Sequence, residues 1–248
     1  VAVHRDEYGG GDLLEPIYTA QCAHVVQSRV LAMDETPIKA GRRKKGKLRQ
    51  AYFWPIYGED NEVVFPFATS RSHRHVETFL GKSFTGTLLS GGCEAYAAYA
   101  RHNTEVTHAE CWAHCRRHFE GAREAEPATV AEALALIAML YRHEQAIRDN
   151  RRDGGEKLAC RTEHSEPITQ IFWRWCDDQC HRPDLLPGNP LSKALKYARE
   201  RRASLQVFLS NPEVPIDTNH LERALRAIPV GRRIWLFCWT ELGEKQVG

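Results

Sequence analysis

The chain has 248 residues, 42% hydrophobic and 27% charged, which supplies a real core and excludes a disordered tail. Its longest apolar stretches, such as residues 131–140, are short and interrupted by charge, and its first residues lack a basic-apolar-small leader pattern, so neither a bilayer span nor secretion is expected. The formal net charge is only +2, so any affinity for nucleic acid has to be sought in the distribution of charge and not in its total.

The predicted elements begin after the glycines at 9–11. A helix is expected over 13–30, with Leu14, Ile17, His24 and Val25 on one face. Val30-Leu31-Ala32-Met33 then reads as a short apolar strand ending at Asp34-Glu35-Thr36-Pro37. A basic loop is expected over 41–49, where six of the eight positions from Arg42 to Arg49 are Lys or Arg. Two β-rich runs follow, 51–57 and 63–68, and the Gly58-Glu59-Asp60-Asn61 turn between them predicts an antiparallel hairpin. Next come a helix over 71–80 stopped by Gly81, a strand over 84–89 closing at Ser90-Gly91-Gly92, a helix over 94–101 and a strand over 105–108.

Beyond Cys111 the pattern is helical for most of a hundred residues. Val130, Leu134, Ile137, Tyr141 and Ile147 keep helical spacing, as do Leu191, Leu195, Ala198, Leu205 and Phe208. Asn189-Pro190 predicts the start of the latter helix and Asn211-Pro212 its end. Three strands, then helix, strand, helix, strand, is the order of a ribonuclease-H-like sheet, an order that other mixed α/β domains share.

Eight cysteines are spread along a chain large enough to need no staples, which predicts reduced thiols in a cytosol. Cys111, His114 and Cys115 lie together, as do Cys176, Cys180 and His181, but without the two-residue spacing of paired zinc ligands; they read as buried helical thiols. Two more basic clusters follow the first: Arg199, Arg201 and Arg202, then Arg223, Arg226, Arg232 and Arg233. Each can hold phosphates, and each reads equally well as a solvated surface.

Two carboxylates carry the chemistry. Asp34 ends an apolar strand, where an open α/β sheet puts its working groups, and from position alone it is either a metal ligand or a turn cap. Glu222 falls in a helix that Asp217 or Thr218 can cap, with Arg226 four residues on as a surface ion-pair partner.

The stretches MDETPIKAGRRKKG (33–46), AYFWPIYG (51–58), HAECWAHCRRHF (108–119) and PIDTNHLERALRAIPVGRRIWLFCWTELG (215–243) resemble, in the same order, the insertion-sequence-sixty-six family of bacterial transposases. The resemblance implies an α/β fold with a ribonuclease-H-like mixed five-stranded sheet and a helical insertion before the last catalytic helix. The expected boundaries are a lead helix over 1–29, the first part of the core over 30–110, the insertion over 111–212 and core completion over 213–248. It further implies an Asp-Asp-Glu site with Asp34 first and Glu222 third, holding Mg²⁺ with Mn²⁺ as substitute. The expected function is DNA strand cleavage and strand transfer in a bacterial cytoplasm, acting on transposon ends and target duplex as a homo-oligomer on DNA. Arg42, Arg43, Lys44, Lys45 and Lys47, with Arg223, Arg226, Arg232 and Arg233, are then the expected phosphate contacts. An upstream zinc-associated DNA-binding region is expected as well.

The chain departs from the family at the second carboxylate. Where the pattern asks for Asp-Gly-Tyr, it reads Gly91-Gly92-Cys93. Glu94, three residues on and in the first turn of a helix, is the nearest carboxylate able to stand in. Ile234 is a second departure, at a position where the family has Asn before Trp. The expectation is an impaired strand-transfer enzyme; the alternative is an inactive relative that binds DNA or partners.

Overall fold

The computed structural model describes residues 10–44 and 47–225, with side chains over 14–39 and 49–225. These fall into two compact units. One takes the residues up to 88, 94–107 and those from 220; the other takes 89–93 and 108–219.

In the first unit, α1 (Gly10–Val25) leads into β1 (Val30–Met33), all four of whose residues are buried. The helix starts before and stops before the expected 13–30. The Ser28 backbone N–H turns back to Val25 O (3.2 Å), and its hydroxyl accepts from the Glu59 N–H (3.2 Å), so the chain is pulled out of the helix toward the 58–61 turn. A mixed five-stranded sheet has the order β5-β4-β1-β7-β8. Its other members are β4 (Ile56–Tyr57), β5 (Val63–Val64), β7 (Gly86–Ser90) and β8 (Val106–Glu110).

The expected hairpin forms around its turn, closed by Gly58 N–H to Glu62 O (3.0 Å), with Asn61 in the left-handed region at φ 64°. It is not two continuous strands. β4 and β5 pair in the five-stranded sheet, whereas β3 (Lys47–Phe53) and β6 (Phe67–Ala68) pair in a separate sheet of order β2-β3-β6. Each run changes sheet at a proline, Pro55 or Pro66. A proline has no N–H to give the ladder, so each is a natural place to leave it.

The second correction concerns the basic segment. β2 (Thr36–Lys44) pairs with β3 as far as Lys44 opposite Lys47, so most of the expected 41–49 loop is the end of a β-ribbon. Ile38, Ala51 and Phe53 are buried at the base of this ribbon, and their ladder propagates outward through the charged residues, with irregularities around Arg42. Trp54 lies beside it, with ring centroids 5.7 Å from Tyr96 and 6.4 Å from Phe79. These rings seat α2 (His73–Leu80), capped by Ser72 and closed by Gly81 at φ 72°, and α3 (Glu94–His102).

The second unit is helical: α4 (Trp112–Glu120), α5 (Pro127–Asp149), α6 (Gly154–Cys160), a π-helical turn (Arg161–Ser165), α7 (Glu166–Cys180), α8 (Pro190–Glu200) and α9 (Arg202–Ser210). Asn189 caps α8 through the Leu191 N–H (2.9 Å), as its sequence predicts. The single helix expected up to Asn211 is broken at Arg201, whose side chain turns to Glu110 (3.2 Å) and over the Tyr197 ring (4.1 Å). Trp112 sits among Phe172, Trp173 and Phe208, and its indole N–H donates to Leu205 O (2.7 Å). Arg161 is wholly buried. It binds Glu144 with two bonds (2.7 and 2.8 Å) and donates to the carbonyls of Phe208 (2.5 Å), Asn211 (3.0 Å) and Val214 (3.2 Å).

α10 (Asn219–Leu225) follows; from His220 it counts with the first unit. No helix among the described residues is long and apolar enough to cross a membrane.

Candidate metal centre

Asp34 is the residue after β1, whose buried apolar chain fixes the direction of exit. Its N–H donates to Pro55 O (3.4 Å), and its Oδ1 accepts from the Glu35 N–H (2.9 Å). The turn-capping bond does not use up the carboxylate, which has further lone pairs. Glu35 points elsewhere: it accepts from the Tyr96 hydroxyl (2.9 Å) and is ion-paired with Arg71, which stiffens the backbone next to Asp34.

Glu222 lies in the first turn of α10. The start of that helix is set by Asp217, whose Oδ1 accepts from the Asn219 N–H (3.0 Å); Thr218 bonds Cys111 Sγ through its N–H (3.3 Å) and hydroxyl (3.4 Å). Residues on either side of Glu222 then dock the helix on the first unit. The His220 ring meets Tyr57 edge-on at 4.7 Å between centroids, and Leu225 packs on the cluster of Ile38, Ala51 and Phe53.

As a result, carboxylate oxygens of Asp34 and Glu222 lie within 4.8 Å of each other, both side chains half-buried. Two like charges at this spacing repel by about 1 kcal/mol in bulk-water dielectric, and by more as water is excluded. Oxygen ligands sit about 2.1 Å from Mg²⁺. One ion between the two carboxylates therefore requires only a small side-chain adjustment. A pair of ions about 4 Å apart needs more anionic ligands than these two residues supply. The pair fits one divalent cation.

Residue 91 directly follows β7, the strand beside β1 in the sheet. A Cβ placed on Gly91 would lie 2.9 Å from His114 Nε2 and 3.0 Å from its Cε1, so in the second unit the imidazole fills the space of the missing side chain. Gly92 is hemmed in likewise: a Cβ there would run into the Tyr197 hydroxyl. Arg117 approaches His114 Nε2 at 3.2 Å. In the sequence His114 stands out only as a neighbour of Cys111 and Cys115, in a cluster that reads as buried helical thiols and not as paired zinc ligands. Among the described residues no cysteine joins a group of three candidate ligands. Burial pushes the Cys115 and Cys176 thiols well up, which keeps them protonated.

The other expected site residues are placed as follows. Glu94 opens α3, is largely exposed, and is ion-paired with Arg101. Arg42, Arg43 and Lys44 belong to β2 and Lys47 to β3, while Lys45 lies outside the described residues. Arg223 is on α10; Arg226, Arg232, Arg233 and Ile234 lie outside the described residues. The middle basic cluster is compensated by acids. Arg199 and Arg202 share Asp177 (3.2 and 3.6 Å), and Arg201 takes Glu110.

The model of the transposase IS66 family matches residues 7–246. The chain belongs to that family. It is also similar to two uncharacterized proteins of Sinorhizobium fredii. With y4qI it is 27% identical over 236 residues, covering 88% of this chain and 42% of the relative. With y4jD it is 28% identical over 241 residues, covering 90% and 46%. The chain thus spans less than half the length of the relatives it matches.

Proposed function

We propose that this chain is the catalytic region of an IS66-type transposase with a ribonuclease-H-like core. In it Asp34 and Glu222 hold a divalent cation, Mg²⁺ or Mn²⁺, and the lack of a carboxylate at 91 impairs strand cleavage and transfer. The observation that carries the reading is the meeting of two carboxylates far apart in sequence, one directly after a buried strand and one on a helix docked at both ends. The sheet order supports the fold: β1, β4 and β5 form an antiparallel meander with β7 and β8 on the far side of β1. The family supplies the substrate class, duplex DNA at transposon ends and target, and the expectation of a homo-oligomer on that DNA.

A cation there would act as a Lewis acid on a phosphodiester oxygen. Asp34 and Glu222 would hold it and neutralise its charge, from elements whose packing leaves little freedom. The basic ribbon of β2 and β3 and Arg223 on α10 provide positive charge for phosphates.

The test is Mn²⁺ binding by calorimetry and electron paramagnetic resonance, on the unmodified chain and on Asp34→Asn and Glu222→Gln. Each substitution is expected to weaken binding at least tenfold. Unchanged binding in both would refute the metal site. Gly91 favours a second reading, a disabled relative that keeps DNA affinity; duplex binding with no Mn²⁺-dependent strand cleavage would select it.

A further inference from the structure

We propose that Tyr52 is a stacking platform for an unpaired base at a DNA strand end, with Lys39 and Arg71 taking the phosphates beside it. The proposal rests on the reading of this chain as a transposase region that acts on DNA, and it adds a contact to the strand that is independent of the cation. Successive residues of a strand alternate between faces, so Ile38, Ala51 and Phe53 turn to the core while Pro37, Lys39, Gln50 and Tyr52 share the other face of the β2–β3 ribbon. On that face Pro37 stands opposite Tyr52, and Lys39 opposite Gln50. Pro37, Lys39 and Gln50 are exposed, and Tyr52 is half-buried. The ring is already held. Gln50 Nε2 donates to its hydroxyl (2.9 Å), and the Arg71 guanidinium stands over it at 5.7 Å, itself ion-paired with Glu35. A ring fixed beforehand gives up little freedom when a base stacks on it. Arg71 keeps 51% of its side chain exposed, and a guanidinium has five N–H donors, so it can serve Glu35 and a phosphate together.

Charge decides the ligand. From Thr36 to Phe53 the sequence carries seven Lys or Arg and no Asp or Glu. A DNA strand matches this surface twice over: its phosphates complement the charge, and its bases supply flat faces that stack on an aromatic ring whatever their identity. A base paired inside a duplex has both faces covered by its neighbours, so the ring takes an unpaired one, such as a cut end exposes. The position suits that role. Pro37 is three residues beyond Asp34, which puts it no more than about 11 Å away along the chain.

The experiment measures binding by fluorescence anisotropy in EDTA, so that no cation contributes. The probes are a blunt duplex and the same duplex carrying a short single-stranded overhang. The unmodified chain is expected to bind the overhang form about fivefold or more tightly, the strength of one stacked base. Tyr52→Leu should abolish that preference and leave blunt-duplex binding within about twofold, whereas Tyr52→Phe should keep it. A 5-iodouracil placed in the overhang should photocrosslink to Tyr52 of the unmodified chain, a readout that needs no variant to fold. Equal binding of the two probes by the unmodified chain overturns the proposal, as does a preference that survives in Tyr52→Leu or a crosslink that forms only elsewhere. If the blunt duplex is bound and the overhang adds nothing, only the stacking platform fails. If neither probe is bound, the reading of the chain as a DNA-acting region fails with it.

Discussion

The close approach of His114 to residue 91 makes a quantitative prediction that needs no metal. In Gly91→Ala the new methyl meets the imidazole edge at 2.9–3.3 Å, closer than carbon and nitrogen tolerate, so the ring or the turn must move. The obstacle is the end of a half-buried side chain and not backbone, so the cost belongs at the lower end of the overpacking range, about 1–2 kcal/mol. Against it stands a gain of about 0.4–1 kcal/mol from the less flexible unfolded chain. The net expectation is a loss of about 0.5–1 kcal/mol. His114→Ala alone removes a half-exposed ring and should cost about as little. In Gly91→Ala/His114→Ala the obstacle is gone, and only the entropic gain at 91 remains. A double-mutant cycle by urea denaturation should therefore show favourable coupling of about 1–2 kcal/mol. Additive effects, with coupling within about 0.3 kcal/mol of zero, would show that His114 does not fill this space.

Other perturbations have defined outcomes. Arg161→Met leaves Glu144 as a buried, uncompensated charge and strips three carbonyls of a donor, so it should cost about 3–5 kcal/mol in urea melts, most of it recovered in Arg161→Met/Glu144→Leu. Replacing Arg42, Arg43, Lys44 and Lys45 by Ala should flatten the log–log salt dependence of duplex binding by about 0.9 for each phosphate left unneutralised, and an unchanged slope would remove the ribbon from the interface. Burial lowers the affinity of His75 for protons; burial, then Arg201 and His114, does the same for His118. Both are thus protonated more readily when unfolded. Stability should be full above the unfolded histidine value of about 6.5 and fall as pH drops below it, by at most about 1.4 kcal/mol per pH unit for each proton. His75→Gln should shallow that slope in melts between about pH 6.5 and 5, and an identical slope would refute the assignment to His75.

The sequence made elements legible where local signals act alone. Gly81 closes α2, and Asn189 opens α8, because a cap is decided by a few adjacent residues. It was less informative where an element's fate depends on distant partners. The two β-rich runs read as single strands because periodicity cannot say which sheet each half will join, although Pro55 and Pro66 mark the places where they part. The basic ribbon read as a loop because charge patterning speaks of solvent, while its pairing is decided by Ile38, Ala51 and Phe53 at its base. Asp34 was legible as a strand-end carboxylate and Glu222 through resemblance alone; no local signal links them. His114 beside Gly91 had no signal at all, since a glycine's neighbours cannot be read from its surroundings in sequence. Arg161 was equally silent, a buried arginine that looks like any helix-surface charge until Glu144 is found opposite.

What supports the two carboxylates explains how a chain can lose the residue at 91 and keep its fold. Asp34 is held by the buried strand β1, by the Pro55 carbonyl and by the Glu35 network with Tyr96 and Arg71. Glu222 is held by His220 on Tyr57, by Leu225 on the ribbon's core and, upstream, by Asp217 at the helix start. None of these contacts passes through residue 91. Removing a side chain there therefore takes away none of the bonds that hold either carboxylate in place. Stability therefore exerts no pull toward keeping an acid at 91. The tight fit of His114 around Gly91 means that an acid at 91 requires the ring to move as well. Gly91→Asp alone is accordingly expected to lose more stability than Gly91→Asp/His114→Ala, a ranking that urea melts of the two variants can reverse.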